Sequence, residues 1–295
     1  MVSGNTRVIG LLGDPVAHSR SPQIHNAAFA ARGLDYVYVP LPVAAAALPV
    51  AVAGLRALGL RGANVTVPHK VAAAGLLDEL DETAAALGAV NTIVVEDGRL
   101  RGFNTDVIGF ARALAEVWGG PHAGRESPTA GTQEAAAAPR ALLLGAGGAA
   151  RAVALALADH GFATTVVNRD PAKAERLVET IVAARPRAEL AAAPLPALDA
   201  GLVGAHDVLV NATSLGLPGS GKVPAALADN VLRGQVVVDL VYGEGPTDFL
   251  AAARARGAGT VDGLSMLIWQ AAAAFELWTG VPASVQVMRD AAERT

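Results

Sequence analysis

The chain contains no cysteine, and aromatic residues make up only 4% of its 295 residues. The absence of cysteine excludes disulfide bonds, cysteine-based zinc and iron–sulfur sites, and thiol nucleophiles. Lysine is scarce as well: Lys70, Lys173 and Lys222 are the only three, and arginine supplies the other 20 of the 23 basic residues. With 27 acidic residues the net charge is −4, which argues against a protein that binds nucleic acid through its phosphate backbone.

Long apolar runs are also missing. A helix that crosses a membrane needs about 20 predominantly apolar residues. The nearest candidate, residues 41–60, is interrupted by two prolines and by Arg56. The apolar run at residues 8–12 is shorter than the roughly 7–15 residues of a signal-peptide core. We therefore expect a cytoplasmic protein with no membrane partner.

Short β-branched runs alternate with alanine-rich segments of helical length. This alternation predicts an α/β fold with mostly parallel strands, and at about 150 residues per domain the length predicts two domains. The 52% hydrophobic content excludes a disordered chain. The predicted strands are residues 8–12, 36–39, 63–67, 90–95 and 99–102 in the first third, and 141–144, 164–167, 207–210 and 236–240 further along.

Helix signals flank these strands. A Ser-Pro pair predicts a helix that begins with Ser21 as its N-cap and ends at Gly33. Two C-terminal helices, residues 266–279 and 283–292, have no strand of their own and must pack on an earlier element. Residues 119–140 are rich in Gly, Pro, Ser, Thr and Ala without periodicity, so we predict a disordered insertion there.

A glycine-rich turn joins the predicted strand 141–144 to a predicted helix at residues 151–159. Gly145, Gly147 and Ala150 form a G-x-G-x-x-A motif in the strand–turn–helix context of a dinucleotide site. The first glycine permits the tight turn, the second lets a pyrophosphate approach the backbone, and the small alanine lets helix and strand pack closely. The motif predicts a Rossmann-type domain that binds a pyrophosphate at the helix N-terminus.

The end of the next strand discriminates between the two nicotinamide cofactors. An NAD site carries an acidic residue about 20 residues beyond the glycines. This chain has Asn168 and Arg169 there, with Lys173 one helical turn further on. Because a guanidinium suits the 2′-phosphate of NADP, the sequence favours NADP(H). Asp170 opposes this choice, since its carboxylate would repel the phosphate unless it caps the following helix.

Further motifs occur along the chain in a fixed order. They are GDPVAHSRSPQIHN at residues 13–26, NVTVPHK at 64–70, GAVNT at 88–92, GFNTD at 102–106, NATSLG at 211–216, DLVY at 239–242 and DGLSMLIWQA at 262–271. Together with the glycine turn, this ordered set resembles the shikimate dehydrogenase family, which includes shikimate/quinate dehydrogenases. The resemblance covers nearly the whole chain and fails only at residues 119–140.

The resemblance implies an oxidoreductase that acts on a CH–OH group. The implied reaction is the NADP-dependent, reversible reduction of 3-dehydroshikimate to shikimate, a step of aromatic amino-acid biosynthesis. Residues 1–105 and 264–295 would form an α/β substrate domain with a mostly parallel sheet, and residues 106–263 the NADP-binding domain. The C-terminal helices would pack back on the first domain, and the protein would be a monomer or a homodimer.

The resemblance also implies the roles of individual residues. Lys70 and Asp106 would be the catalytic pair. The residues that hold the carboxylate and hydroxyls of the substrate would be Ser19, Ser21, Thr66, Asn91, Tyr242 and Gln270. The residues that hold the cofactor would be Gly145, Ala146, Gly147, Gly148, Ala149, Asn168, Arg169, Lys173, Thr213 and Gly263. In this family, members with a serine at the position of Ser21 act on shikimate, whereas members with a threonine there also accept quinate.

The residue types support the catalytic pair without the resemblance. Reduction of a carbonyl by hydride builds negative charge on oxygen, so the site needs a cation that also donates a proton. Lysine can release a proton in a protein and arginine cannot, and Lys70 is one of only three lysines. Asp106 begins a predicted helix and can pair with it. Without the other motifs, Lys70 could also be interpreted as an exposed surface cation and Asp106 as a helix cap.

Two alternatives stay open at this stage. One is a quinate/shikimate dehydrogenase that prefers NAD, which Asp170 keeps under consideration. The other is a non-catalytic dinucleotide-binding regulator, which would need neither Lys70 nor Asp106. Ser19 and Ser21 alternate along a segment predicted to be extended, which would direct both hydroxyls the same way. The six histidines lack metal-ligand spacing, so no metal is expected.

Overall fold

Two six-stranded sheets organise the chain, one in each of two units. Unit 1 consists of Met1–Gly109 and Leu267–Thr295, and unit 2 of Phe110–Met266. The computed structural model describes residues 2–119, 138–243 and 245–294. The insertion predicted at residues 119–140 therefore lies almost entirely outside the described residues, and its disorder stays a prediction.

Unit 1 is built on a mixed sheet. Its strands are β1 (Arg7–Gly13), β2 (Tyr36–Pro42), β3 (Gly62–Val65), β4 (Glu79–Leu80), β5 (Thr92–Glu96) and β6 (Arg99–Phe103). They lie in the order β2-β1-β3-β5-β6-β4, with parallel ladders except where β5 meets β3 and β6. Asp97 and Gly98 reverse the chain between β5 and β6 with φ of 49° and 72°, the left-handed values that a two-residue hairpin turn requires.

Unit 2 is built on a sheet whose ladders are all parallel. Its strands are β7 (Arg140–Leu144), β8 (Ala163–Asn168), β9 (Leu190–Pro194), β10 (Val208–Asn211), β11 (Val236–Asp239) and β12 (Gly259–Asp262). The order β12-β11-β10-β7-β8-β9 is that of a dinucleotide-binding sheet, in which the chain winds first to one side of the first strand and then to the other. Ligands of such sheets bind outside the carboxyl ends of the strands beside that first strand, here β7.

Three of the described strands were not predicted from the sequence, and all three are edge strands. β4, β9 and β12 lie at edges of the two sheets. Strand β9 reads Leu-Ala-Ala-Ala-Pro, and none of its residues is buried. An edge strand lies partly in solvent and gains its pairing from its neighbour, so it needs no β-branched apolar run that would identify it in the sequence.

The helices cover both sheets. Unit 1 contains α1 (Ser21–Ala31), α2 (Leu48–Ala57), α3 (Lys70–Ala74), α4 (Glu82–Leu87) and α12 (Val285–Glu293), with a 3₁₀ turn at Ala45–Ala47. Unit 2 contains α6 (Gly148–Asp159), α7 (Pro171–Ala184), α8 (Ala200–Gly204), α9 (Ala225–Ala228) and α10 (Asp248–Ala255), with a 3₁₀ turn at Leu195–Ala197. Two helices, α5 (Asp106–Ala115) and α11 (Gly263–Thr279), contain residues of both units.

The start of α1 differs from the prediction. Its N-cap is Arg20, which already has helical dihedrals (φ −82°, ψ −7°), and Ser21 is the first helical residue instead of the cap. The hydroxyl of Ser19 accepts the hydrogen bond from the Ser21 N–H at 3.2 Å, which satisfies one N–H of the first turn. Because Arg20 is helical, the segment is not extended as predicted, and alternation does not direct the hydroxyls of Ser19 and Ser21 the same way.

The C-terminal helices pack within unit 1, as predicted. Helix α12 packs against α1. From α11, the indole N–H of Trp278 donates to the carbonyl of Ile93 in β5 at 2.9 Å, and Phe275 stacks on Phe29 of α1 with ring centres 5.1 Å apart. These contacts explain how two helices without strands of their own are held. Among the described residues no helix combines the length and apolar character needed to cross a bilayer.

Candidate functional site

Unit 1 contains a largely buried ion pair between Lys70 and Asp106, the two residues predicted from the sequence to be catalytic. Lys70 is the first residue of α3, and Asp106 is the first residue of α5. The Lys70 Nζ lies 2.6 Å from the Asp106 Oδ2, and the two side chains keep only 22% and 9% of their accessible surface. The amine is therefore held at a fixed place while part of it remains open to a ligand.

Asn91 connects this ion pair to Thr105 and to α11. Its side-chain amide donates to the second carboxylate oxygen of Asp106 at 2.8 Å and to the Thr105 hydroxyl at 3.0 Å. The same amide lies 3.4 Å from the Gln270 Oε1, and the Asn91 Oδ1 accepts the Thr105 N–H at 2.8 Å. Both carboxylate oxygens of Asp106 are thus engaged, one by the ammonium and one by an amide, which fixes the orientation of the carboxylate.

A second chain of hydrogen bonds begins at Ser21. The Tyr38 hydroxyl, which hydrogen-bonds the Ser21 side chain, donates to the Asn64 Oδ1 at 2.8 Å. The Asn64 amide in turn donates to the Asn91 carbonyl and to the Thr92 hydroxyl, each at 3.0 Å. Burial raises the pKa of Tyr38, although the bond with Ser21 opposes the shift, so the phenol stays protonated. The sequence analysis assigned no role to Tyr38 or Asn64.

The remaining substrate candidates are placed differently. Ser19 and Thr66 lie in unit 1 and are partly exposed. Thr66 packs so closely on Gly13 that a Cβ at Gly13 would come within 2.2 Å of the threonine methyl group, which explains the glycine. Tyr242 lies in unit 2, where it lines a cavity of about 480 Å³ together with Leu217.

In unit 2 the glycine turn follows β7 directly. Gly145 has φ of +117°, and a Cβ there would come within 3.0 Å of the Ala212 carbonyl oxygen, so only glycine fits. Gly147 is the N-cap of α6, and no atom lies within 4 Å of where its Cβ would be. The turn therefore offers bare backbone and a helix N-terminus, the environment that a pyrophosphate prefers.

A cavity of about 520 Å³ opens over this turn. Of the predicted cofactor residues, the lining includes Gly145, Ala146, Gly147, Asn168, Arg169, Lys173 and Thr213. Gly148 and Ala149, the first two residues of α6, are not in the lining. Gly263 is also absent from it: it begins α11, where a Cβ would come within 2.1 Å of the Leu240 carbonyl oxygen.

Two cations that the sequence analysis missed also line this cavity. They are Arg151 in α6 and Arg176 in α7. Arg176 follows Lys173 by three residues in the same helix, a spacing that places both side chains on one face. That spacing was visible in the sequence and identifies Arg176. Arg151 directly follows the glycine motif, but the sequence did not show that its side chain turns toward the cavity.

Asp170 resolves the conflict over the cofactor. Its carboxylate accepts the Ala172 N–H at 3.1 Å and caps α7, as the helix start at Pro171 requires. The Asn168 amide donates to the Asp170 carbonyl at 2.9 Å and fixes this turn. One oxygen of the carboxylate is therefore committed to the helix, and the positive residues around the cavity outnumber this single acid.

Profiles of three domain families match the chain. The profile described as Shikimate dehydrogenase substrate binding domain matches residues 11–93, and Shikimate / quinate 5-dehydrogenase matches residues 130–241. The profile described as Shikimate 5'-dehydrogenase C-terminal domain matches residues 263–293. A shikimate dehydrogenase (NADP(+)) of Moorella thermoacetica is 47% identical, covering 97% of this chain and 92% of that protein. The chain belongs to the shikimate dehydrogenase family.

Solved structures agree with this membership. The shikimate dehydrogenase of Thermus thermophilus in complex with NADP(H) and shikimate is 38% identical, with a TM-score of 0.82 and coverage of 98% of this chain and 99% of that one. The quinate dehydrogenase of Corynebacterium glutamicum in complex with NAD is 33% identical, with a TM-score of 0.86 and coverage of 97% and 98%. Because the fold is shared by family members with different ligands, cofactor and substrate choice depend on individual side chains.

Three of the described histidines, His25, His69 and His206, are buried. Among residues 2–119, 138–243 and 245–294, no three His, Asp or Glu side chains cluster as metal ligands would. His25 is fully buried and stacks on the Tyr38 ring with centres 4.5 Å apart. Burial lowers the pKa of His25 to about 3, which the nearby Asn64 side chain only partly opposes. The imidazole is therefore a neutral component of the aromatic core of unit 1.

Proposed function

We propose that this chain catalyses the NADP-dependent, reversible reduction of 3-dehydroshikimate to shikimate, a step of aromatic amino-acid biosynthesis. The observation that carries the proposal is the pair of Lys70 and Asp106, whose charged atoms lie 2.6 Å apart in a half-buried site of unit 1. A chain of this family that keeps this pair has the groups needed for catalysis, whereas a non-catalytic regulator would have no need of them.

Lys70 acts as the proton donor in this proposal. When bound, the reduced cofactor supplies the hydride that reduces the substrate carbonyl. The Lys70 ammonium stabilises the negative charge that develops on the carbonyl oxygen and transfers one proton to it, and in the reverse direction the neutral amine takes that proton back. Asp106 holds the ammonium in position and stabilises its charged form.

The polar side chains around this pair orient the substrate. Asn91, which donates to Asp106, and Gln270, whose Oε1 lies 3.4 Å from the Asn91 amide, bind the hydroxyls of the substrate ring. Ser19 and Ser21 bind its carboxylate at the start of α1, and Thr66 and Tyr242 complete the set. The serine at position 21 favours shikimate over quinate.

The cofactor in this proposal is NADP(H), bound by unit 2. The glycine turn at Gly145 and Gly147 holds the pyrophosphate on bare backbone. Arg169 and Lys173 bind the 2′-phosphate, and the capping role of Asp170 removes most of the repulsion that would favour NAD. Unit 2 is therefore assigned to cofactor binding, with Thr213 and Gly263 on the nicotinamide side, and unit 1, which contains Asp106, to substrate binding.

The test is consumption of NADPH by the purified protein with 3-dehydroshikimate as substrate. We expect turnover with NADPH to be at least about tenfold more efficient than with NADH, the factor that one well-placed ionic contact provides. In the reverse direction shikimate should be oxidised and quinate should be a poor substrate. Absence of turnover with either cofactor would refute the enzymatic proposal, and higher efficiency with NADH would overturn the choice of cofactor.

A further inference from the structure

Two buried polar residues lie side by side at the carboxyl ends of β10 and β11. Asn211 ends β10, Asp239 ends β11, and the two are partners in the parallel ladder. Both are 0% exposed. A chain segment leaves each residue for the ligand side of the sheet: residues 212–217, which we call the nicotinamide-side loop, and residues 240–243 with 245–247, which we call the Tyr242 segment.

Asn211 fixes the nicotinamide-side loop. Its Oδ1 accepts the Thr213 hydroxyl at 2.6 Å and the Thr213 N–H at 3.2 Å. Its amide donates to the Leu215 carbonyl at 2.9 Å, and the Thr213 hydroxyl accepts the Leu215 N–H at 3.1 Å. Thr213, which lines the cofactor cavity, is therefore held by side-chain bonds to the end of the strand.

Asp239 holds Asn211 on one side and the Tyr242 segment on the other. The Asp239 Oδ1 accepts the Asn211 amide at 2.8 Å and the Val241 N–H at 3.2 Å. Its Oδ2 accepts the Thr247 hydroxyl at 2.6 Å, and Thr247 is the N-cap of α10. The Tyr242 segment is thus attached to one carboxylate near both of its ends.

An ionised carboxylate suits this position. Three donors point at Asp239, and a carboxylate offers acceptors to all of them. A buried carboxylate without such donors would be strongly destabilised. Burial does raise the pKa of Asp239, and the bonds from Thr247, Val241 and Asn211 oppose that shift.

We propose that Asp239 is a positioning residue that links the nicotinamide-side loop to the Tyr242 segment, so that one side chain controls the binding of both cofactor and substrate. The inference rests on the proposed function, because it takes Thr213 as a cofactor residue and Tyr242 as a substrate residue. It adds that these two residues are not independent. Loss of the shared carboxylate is expected to weaken the binding of both ligands. Loss of only the bonds to one of the two segments, which we call an arm of the link, is expected to weaken mainly the binding of one ligand.

The experiment removes the arms one at a time. Thr247→Val removes the bond from Asp239 to the Tyr242 segment, and we expect it to raise the KM for 3-dehydroshikimate about tenfold, as for loss of one hydrogen bond to a charged group, with little change for NADPH. Asn211→Ala removes the arm to Thr213, and we expect it to raise mainly the KM for NADPH. Asp239→Ala should raise both. Thr247→Ser keeps the hydroxyl that donates to Asp239 and should give KM values near those of the unaltered chain.

A matched control separates positioning from general loss of stability. Asp199 caps α8 in the same unit by accepting the Leu202 N–H at 2.7 Å. Asp199→Ala therefore loses a helix cap, as Thr247→Val does, and should leave both KM values unchanged. If Asp239→Ala does not fold, the Asn211→Ala/Thr247→Val double variant replaces it and should raise both KM values.

The outcomes also separate this inference from the proposed function. If the unaltered chain turns over and the Asp239→Ala and Thr247→Val variants match the Asp199→Ala control in both KM values, the linking role is overturned. If the unaltered chain shows no turnover, the proposed function fails. NADPH titration by fluorescence still tests the link then: the Kd should rise in Asn211→Ala and Asp239→Ala but not in Asp199→Ala, and an unchanged Kd overturns it.

Discussion

The polar cluster of unit 1 and the cofactor cavity of unit 2 are built in opposite ways. Lys70, Asp106 and Asn91 are partly or fully buried and are joined by bonds between side chains. Around the cavity of unit 2, the turn at Gly145 offers backbone, and Arg169 projects from an exposed position. The first site is a connected network, whereas the second is a bare turn surrounded by separate charges.

The difference matches what each site is proposed to recognise. A proton transfer depends on distance and direction, so the amine must be held by partners whose loss is costly. A phosphate group is bound through charge, which several exposed cations share and which salt screens. We therefore expect single substitutions in the unit 1 network to cause large losses of kcat. Single substitutions around the cavity of unit 2 should cause only moderate increases in the KM for NADPH.

Replacement of Lys70 is expected to have the largest effect. Lys70→Ala removes the proposed proton donor, and kcat should fall by a factor of about 10²–10⁴, the usual contribution of a positioned acid or base. Lys70→Arg keeps the charge but cannot release a proton, and it should be nearly as inactive. Steady-state kinetics together with NADPH titration is the measurement, because cofactor affinity should not change. Arg32→Ala, at an exposed arginine of the same unit, is the control and should keep full activity. Normal turnover in Lys70→Ala would remove lysine from the mechanism.

Asp106→Asn is expected to have the next largest effect. The amide keeps the size of the side chain but loses the charge that stabilises the Lys70 ammonium, so kcat should fall by about 10². The pH–rate profile should also change, because the amine that transfers the proton loses the carboxylate that lies 2.6 Å from it. A profile identical to that of the unaltered chain would show that Asp106 has no part in the proton transfer.

Loss of any one cation of the cofactor cavity should raise the KM for NADPH only moderately. Arg169→Ala should raise the KM for NADPH about tenfold at low salt and leave the KM for NADH unchanged, since NADH lacks the 2′-phosphate. Arg176→Ala should have a smaller effect of the same kind. Arg187→Ala serves as the control, because Arg187 is exposed and does not line the cavity. Equal losses for both cofactors would show that these arginines bind another part of the dinucleotide.

The smallest effect concerns stability at acidic pH. As the pH falls below the ordinary pKa of 6.5, the unfolded chain protonates His25, whereas the native ring stays neutral down to a pKa of about 3. The unfolded state then binds more protons, so the free energy of unfolding falls with falling pH, by at most about 1.4 kcal/mol per pH unit from this residue. Urea unfolding at pH 6.5 and 5.0 measures this slope. His25→Phe should flatten the slope, and His18→Gln, at an exposed histidine, should not; equal slopes in all three proteins would contradict the assignment.

Local patterns predicted most of unit 2. Each central strand of its sheet is an apolar run, and the turn at Gly145 is defined by steric demands within a few residues. The edge strand β9 was missed because an exposed, alanine-rich segment has no such pattern. Arg169 and Lys173 were predicted as cofactor residues because they follow a strand end at a known distance from the glycines, and both line the cavity, whereas the orientation of Arg151 depends on how α6 packs.

The amino-acid sequence by itself determined the α/β class, the dinucleotide turn and the family, because each depends on residues that are close together in the chain or occur in a fixed order. The tertiary structure decided that the Lys70 amine, predicted to pair with Asp106, meets its carboxylate across 36 positions and that Asn91 orients this carboxylate. It also decided that Tyr38 and Asn64 connect Ser21 to this pair. Such bonds join side chains brought together by strand pairing and helix packing, and hydrogen bonding depends on distance and angle, which the order of residues does not contain.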